Sequence, residues 1–95
     1  MTILDKIIAN KKVEVNLRKK LFPLDFWEKS PLFERDTYSI TFLLRSKRTG
    51  IIAEHKRRSP SKQNINSSLS VIDVAKGYEA AGVSGMSILT DGKYF

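Results

Sequence analysis

Ninety-five residues leave room for one small domain, and a hydrophobic fraction of 41% is sufficient for a globular core. The absence of cysteine excludes disulfides, thiolate catalysis and cysteine metal sites, and a single histidine excludes a histidine metal cluster. A formal net charge of +7 points to an anionic partner: nucleic acid, an anionic membrane or a phosphorylated small molecule.

Thr2 followed by Asp5 fits a capping box with Asp in place of the usual Glu, so a helix is expected from Ile3. Leu4, Ile7, Ile8, Val13, Leu17 and Leu21 carry its stripe at mostly three- and four-residue steps, and Pro23 ends it. Such a basic amphipathic helix either packs on its own domain or offers an interface, with Leu4, Ile7 and Ile8 as contacts for a regulatory partner. Asp5 and Glu14 break any uniform cationic face, which favours packing.

The aromatics Phe22, Phe26, Trp27 and Phe33 lie mainly among acids, so they are expected to cover apolar surface in an irregular or short helical connection rather than stack on bases. Tyr38 to Leu44 supports two readings. Its alternation suggests a strand, while Ser39 as an N-cap before Ile40, Leu43 and Leu44 suggests a short helix.

Gly50 then breaks the chain, and Ile51 to Lys56 reads as a buried strand. The loop from Arg57 to Leu69 is polar and holds Pro60, and a loop of that length is more often functional than filler. Ser70 with Asp73 resembles a second capping box. Val71, Val74, Ala75 and Tyr78 line one face of the helix that follows, and Gly82 stops it. Gly85 to Thr90 is a second strand, closed by Asp91-Gly92. Strand, loop, helix, Gly turn, strand is the order of a βαβ unit, with the two strands parallel.

Strand alternation puts Ile52, Glu54 and Lys56 on one side and Ile51, Ala53 and His55 on the other. An acid and a base thus stand one pleat apart at the carboxyl end of a strand, where open α/β sheets and barrels bind ligands. Lysine offers a point charge for a carboxylate or phosphate, and glutamate offers a proton acceptor or an anchor for a developing cation. A strand-end ion pair with no substrate is the structural alternative. His55 is expected to face packed helices. Ser59 has no base and orienting acid beside it, so it is not a triad nucleophile. The run Arg45, Lys47, Arg48, Lys56, Arg57, Arg58 and Lys62 also fits a small basic nucleic-acid-binding module, though it lacks aromatic interleaving and a recognition helix.

Three blocks together, Ile51-Ile52-Ala53-Glu54-His55-Lys56-Arg57-Arg58-Ser59-Pro60-Ser61-Lys62, then Val74 to Gly82, then Ser87 to Phe95, closely resemble the indole-3-glycerol phosphate synthase family, and Ile3 to Lys12 resembles its N-terminal helix. The resemblance implies an α/β fold, a partial (β/α)8 TIM barrel with an N-terminal helical extension over residues 1–48 and the first βαβ unit over 49–95. It favours the helical reading of Ser39 to Leu44. It implies a carboxy-lyase of tryptophan biosynthesis that closes the indole ring of 1-(2-carboxyphenylamino)-1-deoxyribulose 5-phosphate with loss of carbon dioxide and water, and needs no cofactor or metal.

Carried over by position, Glu54 and Lys56 contact the reacting substrate, Ser59 and Pro60 belong to the phosphate-side loop, and Leu89 and Phe95 are apolar contacts around the anthranilate ring. The expected partner is a phosphorylated small molecule, with neither nucleic acid nor membrane, in the cytoplasm. His55 departs from an apolar or aromatic position in the family, and Gln63 from a glycine. A barrel takes about 250 residues, so these 95 are expected to be an N-terminal portion. On that expectation they lack the family's third-strand lysine, a later glutamate and the phosphate loops, the rest of the barrel is required for a complete site, and the portion alone is inactive.

Overall fold

The computed structural model describes residues 1–46 and 49–95, which form two compact units, Met1–Thr37 and Tyr38–Phe95. Lys47 and Arg48 of the basic run lie outside the described residues, and the expected division after residue 48 falls there too.

In the first unit the capping box at Thr2 starts helix α1, Ile3–Leu21. The Thr2 hydroxyl accepts from the Asp5 N–H at 3.1 Å, and the Asp5 carboxylate accepts from the Thr2 N–H at 3.0 Å. Each satisfies a donor that the first turn leaves without an intrahelical partner. Midway, Glu14 takes ion pairs from Lys11 at 2.9 Å and Arg18 at 3.0 Å, the three- and four-residue spacings at which helical side chains meet. Pro23 cannot continue α1 and stands at the N-cap position of the one-turn helix α2, Leu24–Glu28, without a side-chain cap hydrogen bond. Phe22, Phe26 and Trp27 pack on one another with ring centroids 5.1 to 6.0 Å apart, and the Trp27 indole N–H donates to the Phe22 carbonyl at 3.1 Å. This is the short helical connection expected from the sequence.

The second unit begins with helix α3, Ile40–Arg45, whose N-cap Ser39 accepts from the Phe42 N–H at 3.2 Å. The helical alternative therefore holds over 39–44, because the cap satisfies a backbone donor that a lone strand would leave open. Strand β1, Ile52–His55, helix α4, Val71–Ala80, and strand β2, Gly85–Ile88, then make the βαβ unit. The strands pair in parallel with Ile52 opposite Gly85 and His55 opposite Ile88. Both are shorter than the sequence suggests: the ladder closes where the Leu89 N–H donates to the His55 carbonyl at 3.1 Å, and the chain then leaves the sheet on both sides.

Ser70 caps α4 by accepting from the Asp73 N–H at 3.1 Å. At the other end Gly82 takes φ +82°, with its N–H reaching the Glu79 carbonyl at 3.0 Å and the Val83 N–H reaching Tyr78 at 3.3 Å. This is a Schellman stop, which favours glycine because a Cβ strains the left-handed conformation. The buried Ser84 hydroxyl accepts from the Gly50 N–H at 3.1 Å, tying the end of the α4 turn to the entry of β1. Helix α4 packs on β1 and α3 on β2. A Cβ at Gly85 would lie 2.3 Å from Ile40 Cδ1, so glycine is what lets α3 approach the amino end of the sheet.

Among the described residues the buried side chains are His55 and Ser84, both polar, and no apolar side chain is fully buried. No helix of the described residues is long and apolar enough to cross a membrane.

Candidate active site

The parallel register fixes which side chains share a face. Residues directly opposite in the ladder point the same way, so Ile52, Glu54, Gly85 and Ser87 form one face, with Ala53, His55, Met86 and Ile88 on the other. His55 is 5% exposed, and its Nε2 finds no hydrogen-bond partner among the described residues. The sequence expectation that it turns away from Glu54 into packed structure holds.

On the first face Glu54 Oε1 and Lys56 Nζ stand 3.2 Å apart, with the Glu54 side chain 48% exposed and that of Lys56 34% exposed. A pair this open is worth roughly 0–1 kcal/mol, since water screens the attraction and two long side chains lose rotamer freedom. As a stabilising device it is weak. As a chemical device it is well suited, because neither partner is sequestered: the ammonium can turn to an incoming anion while the carboxylate keeps acceptor capacity.

The Phe95 ring completes the group, its centroid 5.8 Å from Lys56 Nζ, within reach of a cation–π contact. Half-buried Phe95 and Leu89 also line a cleft of about 460 Å³ at the carboxyl ends of the strands, together with Arg57, Arg58 and Gln63. An ammonium and a carboxylate beside an aromatic ring can meet a flat aromatic acid, with charge at one end and a ring face at the other.

Ser59 and Pro60 are held differently. The Ser59 N–H and carbonyl pair with Lys62 at 2.8 and 3.1 Å, closing a tight turn around Pro60, and the Ser59 and Ser61 hydroxyls lie 3.1 Å apart. The loop is anchored by the Ile65 N–H, which donates to the Arg57 carbonyl at 2.8 Å. The structure thus brings together Glu54, Lys56 and Phe95, sets Leu89 beside Phe95, and keeps the Ser59 hydroxyl on a local partner.

Two residues escaped the sequence reading. Arg58, counted there as one charge in a basic run, donates from its guanidinium to the Gly92 carbonyl. Asp91, read only as half of an Asp-Gly turn, accepts on Oδ2 from the N–H groups of Lys93, Tyr94 and Phe95 at 3.1, 2.5 and 3.2 Å. The Asp-Gly pair was the available sign, because aspartate characteristically binds backbone N–H groups just beyond itself. Among the described residues no cluster of three or more His, Asp or Glu side chains is arranged to hold a metal.

The protein family described as indole-3-glycerol phosphate synthase matches residues 4–95 of the chain. Indole-3-glycerol phosphate synthase of Bacteroides thetaiotaomicron is 42% identical over 93 residues, covering 98% of this chain and 36% of the relative. The Bacillus mycoides enzyme of the same name is 42% identical over 95 residues, covering 99% and 34%. The protein named indole-3-glycerol phosphate synthase, chloroplastic, of Arabidopsis thaliana is 39% identical over 98 residues, covering 98% and 24%. The chain spans about a third of the length of the bacterial relatives it matches, 36% and 34% in these two cases.

Proposed function

The chain belongs to the indole-3-glycerol phosphate synthase family, and from that premise we propose that its residues form the first part of a (β/α)8 barrel carrying out the ring-closing step of tryptophan biosynthesis. In this reading residues 1–48 are a helical extension and 49–95 the first two strands of the barrel with the helix between them. The reaction closes the indole ring of 1-(2-carboxyphenylamino)-1-deoxyribulose 5-phosphate and releases carbon dioxide and water, in the cytoplasm and without a cofactor.

The observation that carries the proposal is the open Glu54–Lys56 pair, 3.2 Å apart, at the carboxyl end of β1. The substrate bears a benzoate at one end and a phosphate at the other. Lys56 receives the anionic carboxylate and orients the ring carbon that bears it toward the ketone. Glu54 faces the anilino nitrogen and stabilises the positive charge that develops there as the new carbon–carbon bond forms, an electrostatic role that needs a preorganised carboxylate. Phe95 and Leu89 supply the apolar wall for the benzoate ring, and the Ser59-Pro60 turn closes the site from the loop side. The phosphate and the groups that assist dehydration are met by the remaining strands of the barrel.

The test uses the protein encoded by the complete reading frame. Lys56→Ala is expected to lower kcat/KM by about 10² or more, the scale on which a charge-stabilising group is lost, with an unchanged circular dichroism spectrum. Turnover within a few-fold of the parent would overturn the role of Lys56. The family match gives the nucleic-acid reading no support, and Phe22, Phe26 and Trp27 spend their ring faces on one another.

A further inference from the structure

We propose that Arg58 and Asp91 are positioning residues that hold the Phe95 ring beside Lys56. The inference rests on the reading of Glu54, Lys56 and Phe95 given above and assigns work to two residues outside that set.

Past the contact of the Leu89 N–H with the His55 carbonyl, the segment from Thr90 to Phe95 has no regular secondary structure. Its conformation therefore depends on what binds its backbone. Asp91 Oδ2 collects three successive N–H groups, those of Lys93, Tyr94 and Phe95, and so folds the segment into one compact turn. Hydrogen bonds to an ionised acceptor are roughly twice as strong as neutral ones, which suits a single side chain to this task.

Folding the turn does not place it. Placement comes from Arg58, which stands in the loop after β1 and donates to the carbonyl of Gly92, 34 residues on and inside that turn. The loop after β1 and the turn after β2 are thereby joined across the open end of the sheet. Phe95 is the last of the three residues whose N–H groups Asp91 gathers, and its ring is the one 5.8 Å from Lys56 Nζ. Among the described residues Arg58 makes no hydrogen bond to Glu54 or Lys56, and its contact is with the turn that carries the ring.

The experiment again uses the protein of the complete reading frame and reads two quantities. The first, independent of turnover, is the ring-current displacement of the Lys56 ε-methylene signals by Phe95, followed by NMR with labelled lysine. It is expected in the parent, lost in Phe95→Ala, reduced in Arg58→Ala and Asp91→Ala, and retained in Arg58→Lys and Asp91→Asn, which keep a donor and an acceptor. Its absence in the parent, or its persistence in Arg58→Ala, would overturn the proposal. The second is kcat/KM. Misplacement by about 1 Å can cost up to 10²-fold, so Arg58→Ala is expected to lose roughly tenfold, to recover in Arg58→Lys, and to lose little more when added to Phe95→Ala. Full multiplication of the two losses would show that Arg58 acts independently of the ring and overturn the assignment. Should the parent protein fail to turn over this substrate, the reaction falls while the NMR arm still decides the clamp.

Discussion

His55 puts a ring nitrogen without a hydrogen-bond partner among packed groups on the helix side of β1, at a place where the family resemblance calls for an apolar or aromatic side chain. A buried unsatisfied nitrogen costs about 1–3 kcal/mol. His55→Phe is therefore expected to raise the stability of the complete protein by about 1 kcal/mol, read from the urea midpoint at unchanged m-value, and a lowered midpoint would contradict this account. The residues legible in the sequence were those whose meaning lies in the two-residue period of a strand. That period alone put Glu54 and Lys56 on one side and His55 on the other. Arg58 and Asp91 were illegible for the complementary reason. Their partners are backbone carbonyl and amide groups, which leave no pattern of side-chain types, and for Arg58 the partner is 34 residues distant.

Caps decided more of the elements than hydrophobic periodicity did. Thr2, Ser39 and Ser70 each accept the N–H three residues on, and each starts a helix. Over Ile40–Arg45 the apolar pattern allowed a strand, and the Ser39 hydroxyl is the local feature that separates the two outcomes. Strand ends were harder to read, because a ladder ends where its partner leaves and the partner here is brought in from beyond α4. The cap of α1 has an acid-dependent consequence. The Thr2 N–H, and after it the Thr2 hydroxyl, hold the Asp5 carboxyl below its ordinary value. A carboxyl so lowered favours the capped helix wherever it is ionised. The effect is complete above the unfolded value of about 3.9 and is lost as pH falls through the lower value of the folded state. A carbon-13 titration of Asp5 should therefore give a midpoint below 3.9. Thr2→Ala should move it part of the way back up, since the backbone N–H, the larger cause, remains. An unmoved midpoint would dissociate the hydroxyl from the effect.

At the scale of the whole molecule the sheet of the described residues is two strands wide, so each strand has one edge without a neighbouring strand. Ile52 and Ile88 are exposed on the strands themselves, at 54% and 47%. Two strands with open edges template further pairing and seldom stand alone. The polypeptide of residues 1–95, expressed by itself, is expected to associate or aggregate at micromolar concentration. Sedimentation velocity checks this, and a single monomeric species with dispersed amide signals would refute it. From composition the chain read as one small domain with an adequate core, yet among the described residues no apolar side chain is fully buried. Composition counts apolar residues but carries no information about which surface closes over them.

The register of the sheet also bears on timing during synthesis. Because Ile52 pairs with Gly85, β1 leaves the ribosome with no partner until roughly thirty more residues have followed. At about 5 to 20 residues per second that interval lasts on the order of 2 to 7 s, far longer than the submicrosecond to microsecond scale of helix formation. The capped helix α1 can thus be complete while Ile51 and Ile52 still wait as an unpaired apolar segment. That wait gives a nascent-chain chaperone an opportunity to bind the segment before its partner strand arrives.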